Sequence, residues 1–236
     1  MKQRIWELDA ARGLAVLGMV IVHFLFDLSE LTGILRWREP VWFLLVKNHC
    51  GGIFLVISGI SVTLGSHNIR RGIQVLLCGG LVTGVTYGMY ALGLANGSIV
   101  IYFGVLQCLG VCMLLWSLLR RLPNRGLLAG GVTLAVAGLV LGQYAFPTGW
   151  YLIPLGFCPE WFLSSDYFPL LPHLGYFMLG AWLGRTCYRD KTTKFPGANR
   201  RLFRPLCALG RSSLWVYLLH QPLLLALTWA IGNLVG

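Results

Sequence analysis

The chain has 236 residues, of which 56% are hydrophobic and only 11% charged. A soluble domain carries about 25% charged residues, so the composition excludes an ordinary water-soluble fold and points to an integral membrane protein of one domain, residues 1–236. Nineteen Lys/Arg against eight Asp/Glu give a formal charge of +11, but the basic residues lie mainly between apolar runs, where they orient membrane spans rather than bind nucleic acid.

A spanning helix needs about 20 mostly apolar residues. On that scale the sequence predicts spans over 9–28, 41–66, 71–94, 98–120, 126–145, 168–188 and 211–234. The first is not read as a signal peptide: it carries His23 and Asp27 and lacks a small-residue cleavage site. The segment 146–168, rich in Pro, Trp and Gly, reads as interfacial or re-entrant, or as an additional short helix. The fold expected is therefore all-α: a compact bundle of about seven transmembrane helices, eight if that segment forms one.

Loop charge sets the orientation. Lys2 and Arg4, Arg70 and Arg71, the Arg120–Arg125 cluster and the basic connection from Arg185 to Arg211 alternate with two connections that carry no positive charge and with a mixed one, where Arg36, Arg38 and Lys47 stand beside Glu30 and Glu39. This places the N-terminus in the cytoplasm and the C-terminus outside, in a multi-pass protein of the plasma (inner) membrane. Thirty glycines, many inside spans, allow close helix approach and would permit a homodimer. The seven cysteines show no metal-ligand spacing and read as apolar filler, so no metal is expected. A disulfide between Cys50 and Cys158 has no support beyond their shared outer placement.

The first span is the informative one. Arg12 and His23 are 11 residues apart, hence about 1100° around the helix and about 16 Å along it. They share a face with Asp9 and with Asp27, which lies one turn beyond His23. Ionisable groups at membrane depth cost roughly 2.5–3.5 kcal/mol each on insertion scales, so such a stripe faces a cavity or a partner. Asp27 at i,i+4 is placed to fix the His23 tautomer and support a general base. His49 on the second span, Gln107 on the fourth and His173 on the sixth fall at similar outer depth, and His220 lies nearer mid-membrane before Pro222. Arg12, Arg185 and Arg211 lie on the inner side. Arg211, read as opening the last span in "GRSS", pairs a cation with a helix start and suits an anion. An outer set of imidazoles and amides over inner guanidiniums fits a long ligand with an anionic head inside and a reactive tip outside.

The stretch "ELDAARGLAVLGMVIVHFLFDL" resembles the start of the heparan-alpha-glucosaminide N-acetyltransferase-like catalytic domain family. Further resemblances run in the family's order: "IFLVISGISVTLG", "YFGVLQCLGVCMLL", "DYFPLLPHLGYFMLGAWLGR" and "LGRSSLWVYLLHQPLL". The Arg-x10-His spacing also looks like the hallmark of membrane acyltransferases that acetylate surface polysaccharides. The resemblance implies transfer of an acyl group, acetyl in the first instance, from cytosolic acyl-CoA to a carbohydrate or glycan acceptor outside. Arg12 would then meet the inner part of CoA, with Arg185, Arg211, Gln107 and His220 also on the donor. His23, Asp27 and His49 would act at the acyl end, the base being His23 or another imidazole of the outer set. Two other readings compete. Buried His/Asp pairs also serve proton relays, as in a small proton-coupled transporter, and polar groups can serve helix packing alone in an assembly subunit.

Overall fold

The computed structural model describes residues 5–32, 40–146, 149–196 and 201–235. Among them, eight α-helices follow in order: α1 (Trp6–Thr32), α2 (Val41–Leu64), α3 (Asn68–Ala91), α4 (Val105–Leu119), α5 (Asn124–Leu141), α6 (Leu170–Cys187), α7 (Arg204–Arg211) and α8 (Ser213–Val235). Short 3-10 turns occupy Gly97–Ile99 and Trp150–Leu155. Within the described residues the only β pairing is an isolated bridge between Phe103 and Tyr167. Among the described residues, four helical segments are long and apolar enough to cross a membrane: Trp6–Ser29, Asn68–Ala91, Asn124–Leu141 and Ser213–Leu234. The chain is an all-helical, multi-pass membrane protein.

Two expectations change. The fourth predicted span, 98–120, shortens to the 15 residues of α4, because residues 100–104 run extended after the 3-10 turn at Gly97–Ile99. The last predicted span, 211–234, stands as α8 from Ser213, and only its opening changes. Arg211 closes α7 instead of opening a helix, and Ser212 (φ −96°, ψ 12°) separates it from α8. The segment 149–168 forms the Trp150–Leu155 turn and then irregular chain, with no further α-helix among its described residues.

The chain divides into two compact units, residues 1–54 with 192–236, and residues 55–191. In the first unit, α1 packs along α7 and α8. Its crossing with α7 is made by two glycines. A methyl group at Gly13 would overlap the Leu206 carbonyl oxygen, and one at Gly210 the Asp9 carbonyl oxygen, so the backbones meet without side chains between them. Trp6 packs on Phe203 with ring centroids 4.9 Å apart. The Glu7 carboxylate accepts from Thr193 Oγ1 at 2.8 Å and from the Lys194 backbone N–H at 2.7 Å, fastening the start of α1 to the segment before α7.

In the second unit, α5 packs on α6, α3 on α4, and the end of α2 on α6. The α3–α4 and α5–α6 connections are stitched together. Ser164 Oγ donates to Val100 O and Ser165 Oγ to Ser98 O, each at 2.8 Å, and the Phe168 N–H bonds Phe103 O at 2.9 Å. Asp166 Oδ2 accepts from the Val105 N–H at 3.1 Å, placing negative charge at the N-terminus of α4, where the helix dipole favours it. The Tyr167 hydroxyl donates to Ile153 O at 2.6 Å, and burial pushes its acidity well away from neutrality, so it stays a protonated donor.

Candidate active site

The site is built in the first unit on facing stretches of α1 and α8. On α1, an unbroken 27-residue helix, the ideal rise keeps Arg12 and His23 about 16 Å apart on one side. Arg12 Nη1 lies 3.4 Å from Asp9 Oδ1, one turn earlier. His23 places Nδ1 2.9 Å from the Met19 carbonyl oxygen. On α8, His220 places Nδ1 2.6 Å from the Tyr217 carbonyl oxygen. A carbonyl only accepts, so each neutral imidazole carries its proton on Nδ1 and presents Nε2 as an unprotonated acceptor. The two rings meet edge to face, centroids 5.0 Å apart at 83°.

The His220 side chain is only 9% exposed, and its Nε2 has no hydrogen-bond partner among the described residues. A buried acceptor left unpaired costs about 1–3 kcal/mol, and a catalytic role is one reason such a cost is retained. His220 also lines a cleft of about 340 Å³ with Val20, Trp215, Leu219, Leu223 and other apolar residues of α8.

Asp27 is 5% exposed. Its carboxylate accepts from Gln221 Nε2, at 3.2 Å to one oxygen and 3.0 Å to the other. The His23 tautomer is therefore set by the Met19 carbonyl, and the hydrogen bonds of Asp27 run to α8. Gln221 was absent from the expected site. Its signal was available: an amide beside His220 in an otherwise apolar span needs a partner as much as a histidine does.

The remaining candidates fall elsewhere. His49 belongs to α2, and its side chain lies outside the described residues. Arg211 is the last residue of α7. Gln107 and Arg185 belong to the second unit. Gln107 donates to Gly79 O at 2.9 Å and Thr83 Oγ1 at 2.8 Å and accepts from the Gly104 N–H at 3.0 Å, tying α4 to α3. Arg185 donates to Leu122 O at 2.7 Å and Arg120 O at 2.5 Å, and its guanidinium lies 5.2 Å from the Trp116 ring centre. It thereby satisfies carbonyls at and just beyond the C-terminus of α4. His173, also in the second unit, bonds Pro169 O at 2.7 Å and packs against Phe168 and Tyr176. Cys50 and Cys158 are both free thiols.

Among known families, that of heparan-alpha-glucosaminide N-acetyltransferase, catalytic, matches the chain over residues 4–222. No curated protein and no solved structure matches the chain.

Proposed function

The chain belongs to the heparan-alpha-glucosaminide N-acetyltransferase catalytic family, and on that premise we propose that it moves an acetyl group from cytosolic acetyl-CoA to a sugar or cell-envelope glycan outside the plasma (inner) membrane. In this reading the chain crosses the membrane seven times with its N-terminus in the cytoplasm. The observation that carries the chemistry is the pair of imidazoles, His23 and His220, each pinned through Nδ1 to a helix carbonyl with Nε2 left as a base. His23 Nε2 takes the proton from the acceptor hydroxyl or amine as it attacks the thioester carbonyl. The C–S bond then breaks, and CoA leaves as the thiol after receiving that proton. Asp27, held by Gln221, stabilises the imidazolium that forms transiently on His23.

Arg12, about 16 Å down the same helix, meets the inner part of CoA, a span suited to an extended pantetheine arm. Arg211 offers a second cation to the phosphates, and the cleft beside His220 accommodates the acyl end. His49 is the candidate donor to the oxyanion. Gln107 and Arg185 are fully engaged in joining helices, and we assign them no contact with the donor.

The test is binding of radiolabelled acetyl-CoA to the detergent-purified protein, together with release of CoA thiol. Wild type binds and releases CoA. Arg12→Ala weakens binding, whereas His23→Ala still binds but turns over about 10²–10⁴-fold more slowly. A folded wild type that binds no acetyl-CoA overturns the proposal.

A further inference from the structure

The second unit carries a cavity that the acyl-transfer chemistry does not use. It measures about 400 Å³ and is lined by Asn96, Gly97, Ser98, Tyr102, Trp161 and Leu163, within the range of about 300–1,000 Å³ typical of small-molecule sites. Its walls come from the α3–α4 and α5–α6 connections. The serine–carbonyl bonds of Ser164 and Ser165, the Phe168–Phe103 bond and the packing of Tyr102 on Phe162 (5.7 Å between ring centres) fix those connections to one another. Two aromatic rings stand open on this rigid frame, Trp161 68% and Tyr102 46% exposed. Beside them are an amide and a hydroxyl, groups that both donate and accept hydrogen bonds.

We infer that this cavity binds an uncharged sugar ring. A pyranose has an apolar C–H face, which stacks on an indole or phenol, and a rim of hydroxyls that donate and accept, which Asn96 and Ser98 match. The absence of charge in the lining makes the inference more specific. Residues 92–104 contain no ionisable side chain except the phenol of Tyr102, and residues 142–169 contain no basic residue, their carboxylates being Glu160 and Asp166. Glu160 is exposed, and Asp166 sits at the start of α4. A sulfated or uronic-acid glycan would find no cation in the lining or in these two connections to offset its charge. The saccharide selected is therefore neutral, in contrast to a polyanionic glycan. This binding does not rest on the acyl-transfer reading.

The experiment is saturation-transfer NMR on the full chain in a detergent without a sugar headgroup, with N-acetylglucosamine and its 6-sulfate as matched probes. Wild type transfers saturation to the ring C–H protons of the neutral sugar, and the 6-sulfate gives a signal at least several-fold weaker. Trp161→Ala reduces affinity about ten-fold, the order of one lost aromatic contact, while Trp161→Phe retains part of the signal. Because Trp161 is exposed, the alanine variant keeps its melting temperature. Equal signals from the two sugars, or no loss in Trp161→Ala, would overturn the inference and leave the two rings as interfacial anchors facing lipid headgroups. Acetyl-CoA assays on the same wild type separate the two proposals. Sugar binding without acetyl-CoA binding keeps this site and removes the acyl-transfer reading. Release of CoA to water without any sugar signal does the reverse.

Discussion

Gln221 sets one side-chain amide across both carboxylate oxygens of Asp27, at 3.0 and 3.2 Å, and so joins α8 to α1 at the depth of the two imidazoles. A carboxylate 5% exposed cannot draw that stabilisation from water. Gln221→Leu should therefore leave Asp27 without its donor, at about 1–3 kcal/mol. We expect a lower melting temperature in detergent together with slower release of CoA. Gln221→Asn, one methylene shorter, should fail to restore the bond. If Gln221→Leu melts and turns over like wild type, Asp27 has another source of support.

The crossing of α1 and α7 yields a prediction of opposite signs. Gly210→Ala places a methyl group on the Asp9 carbonyl oxygen, and forcing two helices apart at a packed crossing costs about 1–3 kcal/mol. Gly80 and Gly84 on α3 have nothing within 4 Å of an added Cβ. Alanine there should be neutral or should gain up to about 1 kcal/mol of helix propensity. Thermal melts of the three variants side by side check the contrast. A Gly84→Ala protein that loses as much stability as Gly210→Ala would show that α3 has a partner on that face.

Much of this architecture was legible in the sequence. Hydropathy located α1, α3 and α5 to within a few residues, and His23 and Asp27 of the first span lie on the face of α1 that meets α8, since a helix repeats every 3.6 residues whatever surrounds it. Three features were not legible. The eight residues of α7, Arg204–Arg211, are too short and too basic to register as a span, so the helix that precedes α8 left no trace in a hydropathy profile. The spacing of His23 and Asp27 placed them one turn apart, which is compatible with a mutual bond. The structure instead gives each a different partner, Met19 O and Gln221, because a backbone carbonyl was nearer to one and a second helix to the other. Gln107 and Arg185 stood out as polar groups in apolar runs, but sequence does not reveal that two atoms of α3 and the N–H that opens α4 itself are waiting for the Gln107 amide.

Arg185 tests that last distinction. With its guanidinium on the Leu122 and Arg120 carbonyls, Arg185→Ala should lower the melting temperature by unpinning the end of α4. Acetyl-CoA affinity should fall much less than in Arg12→Ala. Arg185→Lys, which has no planar fork to reach two carbonyls at once, should recover only part of the stability. An Arg185→Ala protein that melts normally yet loses acetyl-CoA binding would return this residue to the donor site.

The two imidazoles should also differ in reactivity. Both are held through Nδ1, so an acylating reagent such as diethyl pyrocarbonate must attack at Nε2. His220 is 9% exposed and its Nε2 is fully enclosed, whereas His23 is only partly buried. Brief treatment followed by peptide mass spectrometry should therefore find the adduct on His23 well before His220. If His23 lies at the acyl end of the donor, prior addition of acetyl-CoA should slow its modification. Loss of CoA release should then track the His23 adduct and not that on His67, which lies just before α3 in the second unit. Modification of His220 first, or inactivation that precedes any His23 adduct, would place the working base on α8 instead of α1.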